Sequence, residues 1–328
     1  MLYKVYWLIP LNNDLGQLPS KSNLASIRLR SAVCINAFES AGLSIGYGES
    51  IPSDIDKVVI GKIGAHDISI RATAWLRQIS KAKDSGARIF LDYTDHHLGF
   101  NSSMREFYEQ ALVFVDHCIT SSEYLSTLLQ EHFAGPITLI EDAVEITPIK
   151  PKEILCTKPT TALWFGHSSN IPYLVEFINT SSFLLNNSNL IVLSNEAGIA
   201  YFNENSLRIN SPSQIKLGLW SFETMIHAAS LSDFSIIPSS LTDPKKLGAS
   251  SNRLITSFAL GLPTTADNLP SYQKYSDYYV DIRSSNFFNL AENPLLFSPN
   301  VELQESLLNK FSFKKLGSDW LFLIRGHY

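Results

Sequence analysis

The sequence predicts an α/β protein of two domains, and three observations carry that prediction. Short apolar runs rich in β-branched and aromatic residues recur along the chain, and helical patterns lie between them, the alternation of βα units around a parallel sheet. The same alternation restarts after a proline- and lysine-rich stretch near the middle of the chain. With 328 residues, 45% of them hydrophobic, the chain is long enough to build two ordinary cores.

In chain order, the first half offers strands at Tyr3–Ile9, Leu43–Tyr47, Lys57–Ile60, Ala87–Leu91, Cys118–Thr120 and Ile137–Ile140. Helices are expected at Asn23–Ala41, Ile70–Ser85, Ser103–Leu112 and Glu123–His132. This first domain runs over 1–146. The stretch TPIKPKEILCTKPTT, with three prolines, three lysines and no periodicity, reads as a linker over 147–160. The second domain, 161–310, has strands expected at Ala162–Gly166, Leu190–Leu193, Leu207–Ile209, Phe234–Ile237 and Pro263–Thr265. Its helices are expected at Pro172–Asn179, Gln214–Ala229 and Ser251–Leu260. The tail, 311–328, is expected to be a helix that packs back on the first domain. Its stripe of Trp320, Phe322 and Arg325 also admits peripheral association with a membrane surface, but such stripes are more often core-facing.

Composition excludes several classes of function. The net charge is −5 and no long run of Lys or Arg occurs, so the electrostatic footprint of a nucleic-acid partner is missing. Cys34, Cys118 and Cys156 are odd in number and widely spaced, with no CxxC, which suggests neither a disulfide framework nor a zinc site. A reducing cytoplasmic compartment is expected, at the inner face of the membrane if the tail binds there. The opening MLYKVYWLIPLNNDLG has an apolar stretch too short for a signal peptide, and no stretch is long enough for a membrane span. No GxSxG, GxxxxGK[ST] or GxGxxG occurs, which removes the main supports of hydrolase, P-loop and dinucleotide-dehydrogenase readings.

Candidate chemistry sits in the loops after strands, where ligands of open parallel sheets bind. In KKLGASSNRLITSFALGLPTT, Ser250 or Ser251 is a suitable N-cap, Leu254, Ile255, Phe258 and Ala259 form one apolar face, and Gly261 is a suitable C-cap. The helix start, with Asn252 and Arg253 on it and Lys245 and Lys246 just before, suits an anion such as a diphosphate; a solvated helix start is the plainer alternative. In FGHSSN, Gly166 offers backbone, and the His167 imidazole either donates to a phosphate or bonds a turn. In DYTDHH, Asp95, His96 and His97 follow a strand and combine a carboxylate with imidazoles. That pairing suits a general base for an acceptor hydroxyl, a structural hydrogen-bond cluster or a metal site. Arg28 and Arg30 lie two apart on a predicted helix and so on different faces, leaving at most one for a cleft.

The order Trp220, then LSDF, Ile237-Pro238 and SSNRLITSFALGLPTTA resembles the second half of GT-B glycosyltransferases of the family 4 (group 1) type. NLASIRLRSAVCINAFESAG, RIFLDYTDHH and VDHCITSSEYLSTLL resemble pieces of their first half, so that the likeness spans about residues 1–282. The resemblance implies two Rossmann-like domains facing across a cleft and a metal-independent transfer with no cofactor. The sugar would pass from a nucleotide-sugar donor to a glycan or lipid-linked acceptor, as in surface polysaccharide or glycoconjugate synthesis. It implies donor binding by Gly166, His167, Lys246, Ser250, Ser251, Asn252 and Arg253, catalysis by Asp95, His96 or His97, and acceptor contact by Arg28 or Arg30. The chain departs from the family at one point. Thr256 and Gly248 stand where the large retaining families carry two Glu separated by seven residues, so donor binding falls to Lys245, Lys246, Asn252 and Arg253. A nucleotide-sugar epimerase of the same architecture, and a catalytically idle binding protein, are the alternative readings.

Overall fold

The computed structural model describes residues 4–11, 16–65, 67–151, 159–180, 184, 188–206, 215–294 and 301–326. The chain divides into two compact units. One comprises Met1–Ala143, Leu247–Ser250 and Lys310–Tyr328; the other comprises Val144–Lys246 and Ser251–Asn309.

The first unit is built on a parallel sheet of β1 (Val5–Leu8), β2 (Ile45–Gly48), β3 (Lys57–Ile60), β4 (Arg88–Tyr93), β5 (His117–Thr120) and β6 (Ile137–Leu139), ordered β2-β1-β3-β4-β5-β6. β1, β3 and β5 are buried at every residue, as expected of parallel strands covered on both faces. One face packs Trp75 and Phe107 against Val58, Ile60, Ile89 and Leu91. On the other, Val33, Cys34 and Phe38 of helix Ala32–Ser40 pack on Trp7, Ile9 and Phe90 together with Trp320 and Ile324 of the terminal helix Phe313–Arg325. Trp320 meets Trp7 edge to face at 5.0 Å. The buried Lys57 ammonium donates to the carbonyls of Ile324 (2.6 Å) and Arg325 (3.1 Å), so a cation closes the negative end of that helix. The expected return of the tail to the first unit is therefore observed. Trp320, with 0% exposure, belongs to the core, whereas Phe322 on the same helix is 60% exposed.

The expected helix Asn23–Ala41 begins as a π-helical segment, Ile27–Ser31, before continuing as α-helix. Arg28 and Arg30 both lie on that segment, and both are buried, each with its own partners. Arg30, at 0% exposure, donates through Nε to Asp92 Oδ1 (2.7 Å), and through Nη1 to the Ile140 carbonyl (2.7 Å) and Asp142 Oδ1 (3.0 Å). Its Nη2 lies 2.6 Å from Asp92 Oδ1. One guanidinium thus ties the first helix to the ends of β4 and β6, and it stacks over the Trp320 ring at 5.2 Å.

The second unit repeats the architecture with β7 (Thr160–Phe165), β8 (Ser188–Ser194), β9 (Ile215–Leu219), β10 (Phe234–Ile237), β11 (Thr264–Ala266) and β12 (Val280–Asp281). Their order, β12-β11-β10-β7-β8-β9, is that of a doubly wound dinucleotide-type sheet. Its core gathers Trp164, Leu174, Val192, Phe202, Phe234, Ile236 and Phe287. The expected helix Gln214–Ala229 is a correction: the alternating IKLGL forms β9, and helix Phe222–Leu231 begins only beyond it. A capping box sets that start, with Ser221 Oγ accepting from Thr224 N (3.1 Å) and Ser221 N donating to Thr224 Oγ1 (2.7 Å). The second unit also carries helices Ile171–Thr180, Glu196–Asn205, Asn252–Ala259, Asn286–Glu292 and Val301–Lys310. The strand expected at Leu207–Ile209, Tyr3, Cys156 and the linker residues 152–158 lie outside the described residues.

Trp320→Ala is expected to lower the free energy of unfolding by about 3–5 kcal/mol, while Phe322→Ala changes it by at most about 0.5 kcal/mol. Denaturant titration of both variants measures this. Equal losses would mean that the terminal helix does not share the core of the first unit.

Candidate functional site

In each sheet the direction of winding reverses once, and the strand ends beside the reversal open a crevice at their carboxyl edge. In the second unit the reversal falls between β7 and β10. The segments that follow these strands, and the segment after the neighbouring β11, hold most of the donor-side candidates.

Arg253 lies in the first turn of helix Asn252–Ala259. The helix is fixed at its far end by a Schellman motif, with Leu262 N donating to Ser257 O (3.3 Å) and Gly261 N to Phe258 O (3.0 Å). Gly261 adopts φ 72°, and a Cβ there would lie 2.7 Å from the Ile149 carbonyl oxygen, so glycine is required twice over. Ser257 anchors the helix to the sheet through Ser235 Oγ at 2.9 Å. The expected side-chain N-cap is not made: Ser251 occupies the cap position, buried, with φ −77° and ψ 6° and no capping hydrogen bond. Asn252 and Ser250 are half-buried, and Ser250 belongs to the short stretch grouped with the first unit.

The Arg253 guanidinium sits beside the buried Tyr272 hydroxyl, and its Nη1 is buried without a hydrogen-bond partner. Nη1 lies 3.4 Å from the point a Cβ on Gly166 would occupy, and the Trp164 ring is 3.1 Å from the same point. The backbone after β7 therefore approaches closely an unsatisfied cationic donor. A buried donor without a partner costs roughly 1–3 kcal/mol, a cost that an incoming anion removes.

The other basic candidates are already engaged. Lys246 Nζ donates to Asn170 Oδ1 (2.6 Å) and sits 5.2 Å from the centre of the Tyr173 ring, whose hydroxyl donates to Asp243 Oδ2 (2.5 Å). This clasp joins the segments after β7 and β10. His167 is exposed, and its Nδ1 accepts from Ser169 N (3.3 Å) at the head of a 3-10 turn, so this nitrogen takes the turn-bonding role. Lys245 is exposed in the short helical turn Pro244–Leu247.

In the first unit the reversal lies between β1 and β3. Lys62 follows β3, and Asp95, His96 and His97 follow β4, the next strand. Lys62 Nζ donates to Asp95 Oδ2 (2.5 Å), and Thr94 Oγ1 donates to the same oxygen (3.2 Å). Burial opposes charge on Asp95, but the Lys62 ammonium and His97 outweigh it and hold the carboxyl down at about 2. Burial pulls the His97 imidazole down to about 4 against the attraction of Asp95, so the ring is neutral at pH 7. His97 Nδ1 bonds Ser102 Oγ (2.9 Å), the ring stacks flat on Tyr108 at 5.4 Å, and Nε2 is buried without a partner. His96 is buried beside Tyr93, with 3.5 Å between Nδ1 and the hydroxyl. Among the described residues no group of three or more His, Cys, Asp or Glu is disposed to hold a metal ion. Arg28 donates to the Ser22 carbonyl (2.7 Å), and Arg30 is spent within the core, so neither presents a free fork to a ligand.

Sequence reasoning passed over Lys62, Asn170, Tyr173, Ser239, Asp267 and Tyr272. Lys62 immediately follows a predicted strand, and Tyr272 lies in the strand-end loop TTADNLPSY; position after a strand was the available signal for both.

No family model matches the chain, and no curated protein matches it by sequence. Solved structures do match. The α-glucosyltransferase AGT in complex with UDP aligns at a TM-score of 0.64 with 12% identity, over 97% of this chain and 100% of that chain. The lipopolysaccharide outer core galactosyltransferase WaaB aligns at 0.58 with 12% identity, over 98% and 99%. The pneumococcal O-GlcNAc transferase GtfA, in complex with UDP and GlcNAc, aligns at 0.54 with 14% identity, over 82% of this chain and 56% of that chain, so the chain spans just over half of that relative's length. At such identities the likeness is one of fold: the chain has the α/β fold, with two parallel six-stranded sheets, of these GT-B glycosyltransferases.

Proposed function

We propose that the chain is a glycosyltransferase whose second unit binds a nucleotide-sugar donor and whose first unit binds a glycan or lipid-linked acceptor. The observation that carries this reading is Arg253, whose buried Nη1 has no partner beside the bare backbone of Gly166 at the winding reversal of the second sheet. Solved relatives of the same fold hold UDP, which supports a nucleoside diphosphate as the occupant. As the bond from sugar to diphosphate breaks, negative charge builds on the leaving phosphate, and a fixed guanidinium in a partly dry site stabilises it without reorganisation. That role needs no metal ion, and transfer is expected to continue in EDTA. The net charge of −5 weighs for a glycan rather than a nucleic-acid acceptor.

On the first unit, the acceptor hydroxyl meets two groups with different tasks. Asp95, kept ionised by Lys62, accepts a hydrogen bond and orients the hydroxyl; a carboxylate of such low basicity is a weak proton acceptor. His97 is neutral and the more basic of the two; in the tautomer whose Nδ1–H donates to Ser102 Oγ, its unpartnered Nε2 receives the proton.

Calorimetric titration with UDP, GDP, dTDP and ADP tests the donor side. Arg253→Ala is expected to weaken the tightest of these by about tenfold or more, the worth of one charge-assisted contact. Equal affinity in a folded variant would remove Arg253 from the phosphate site. Consumption of a nucleotide sugar without any acceptor would favour an epimerase or a hydrolase.

The pH dependence tests the acceptor side. A histidine whose folded pKa is depressed to about 4 contributes stability that is full above its unfolded value of about 6.5 and is lost as pH falls toward 4. His97→Gln is expected to flatten the loss of stability between about pH 6.5 and 4, and to lower turnover far more than donor affinity. Asp95 acts lower, its contribution being lost from about pH 3.9 down to about 2. Unchanged turnover in His97→Gln would take the proton-accepting role from His97.

A further inference from the structure

In the turn after β4, the His97 ring is held from two sides by one short stretch of chain. Ser102 begins that stretch: its N donates to the Phe100 carbonyl (2.8 Å), its Oγ accepts from Met104 N (3.2 Å) and its carbonyl accepts from Arg105 N (3.0 Å), which leads into helix Arg105–Ala111. The helix carries Tyr108, whose ring lies within 3° of parallel to that of His97. Tyr108 is itself buried and meets Tyr93 edge to face at 5.2 Å. The stack fixes the plane of the imidazole, and Ser102 Oγ, 2.9 Å from Nδ1, fixes its rotation within that plane.

A neutral imidazole has one N–H and one bare nitrogen, and the hydrogen bond made at one nitrogen decides which is which. Ser102 Oγ either accepts from Nδ1–H or donates to a bare Nδ1. The consequence falls on Nε2, which is buried without a partner. In the first case Nε2 is a bare acceptor, and the Ser102 proton reaches solvent because Ser102 is only half-buried. In the second, Nε2 carries a proton with nothing to receive it, and a buried N–H without an acceptor is the rarer of the two defects. We propose that Ser102 is a positioning residue of the acceptor side, its hydroxyl holding His97 in the Nδ1–H tautomer so that Nε2 stays bare to take the proton of an acceptor hydroxyl. The inference deepens the glycosyltransferase reading and rests on it. In the step itself, the acceptor O–H bond breaks and its proton passes to Nε2. The oxygen's electron pair forms the bond to the sugar carbon, and the bond from that carbon to the diphosphate breaks with its electrons leaving on the diphosphate. The imidazolium keeps its Nδ1–H on Ser102, where the bond becomes charge-assisted, and Asp95 attracts it. The part is that of the group that orients a histidine base, taken here by a hydroxyl.

The test is nitrogen NMR of the full chain carrying isotope-labelled histidine, at neutral pH, with the His97 ring assigned by comparison with His97→Gln. Wild type is expected to show a protonated Nδ1 and a bare Nε2. Ser102→Ala removes the acceptor of Nδ1–H and is expected to raise the share of the Nε2–H form by about fivefold or more relative to the Nδ1–H form. It also removes the acceptor of Met104 N, a loss that lowers stability without deciding the tautomer. Ser102→Thr keeps the hydroxyl and is expected to keep the wild-type tautomer. If Ser102→Ala does not fold, Ser102→Cys keeps the volume and removes most of the hydrogen-bonding capacity. An Nε2–H ring in wild type overturns the proposal alone, as does an Nδ1–H ring that persists unchanged in the folded alanine or cysteine variant. Wild type that binds none of UDP, GDP, dTDP and ADP, with the Nδ1–H ring in place, overturns the glycosyltransferase reading, and with it the use proposed for the bare Nε2.

Discussion

A parallel sheet covered on both faces leaves polar chemistry almost nowhere to sit except at its strand ends, and both units obey that constraint. β1, β3, β5 and β10 are buried at every residue, so charged and hydrogen-bonding side chains collect where the strands stop. Helix Asn252–Ala259, the clasp of Lys246, Asn170, Tyr173 and Asp243, and the bond from Ser239 N to Asp267 all follow from that placement in the second unit. The Lys62, Asp95 and His97 group follows from it in the first. The sheet supplies rigidity, and the winding reversal supplies a gap between loops that leave in opposite directions.

Within the first unit, Arg30 is the side chain on which the polar order turns. Its cost of burial is met by Asp92, Asp142 and the Ile140 carbonyl, and removal of any partner would leave a charge in the core. Because these partners belong to β4 and the segment after β6, the ion pair holds the strand ends in register with the helix that begins the fold. Trp320 lies over the same guanidinium, and Lys57 closes the carboxyl end of the helix that carries Trp320. The tail is thereby part of the first unit's core and not an appendage to it.

In each unit the candidate groups divide into those already satisfied and those that are not, and the division separates scaffold from chemistry. Lys246 is engaged by Asn170 and Tyr173, and one His167 nitrogen by a turn. Arg253 Nη1 and His97 Nε2 are buried and unpartnered. Charge alone would have ranked Lys246 with Arg253; only hydrogen-bond accounting tells them apart.

The sequence by itself determined the alternation of strands and helices, because apolar period and β-branched content are local properties. Lys57–Ile60 and Phe234–Ile237 are found at their expected bounds, and Gly261 ends its helix because glycine alone suits φ 72° against a carbonyl. It also placed Arg253 at a helix start and the Asp95 to His97 group after a strand, since both are matters of neighbours along the chain. Where two local signals competed, in Gln214–Ala229, periodicity over the whole stretch concealed a five-residue edge strand that the sheet recruits. Tertiary structure decided everything that depends on partners distant in sequence. It sent Arg30 into the core to Asp92, 62 residues away, and tied Lys246 to Asn170, 76 residues away. It also left Ser239 Oγ, Ser271 Oγ and Arg253 Nη1 buried without hydrogen-bond partners. Whether a polar group is spent or available is a property of its surroundings in space, and only the packing of the sheets defines those surroundings.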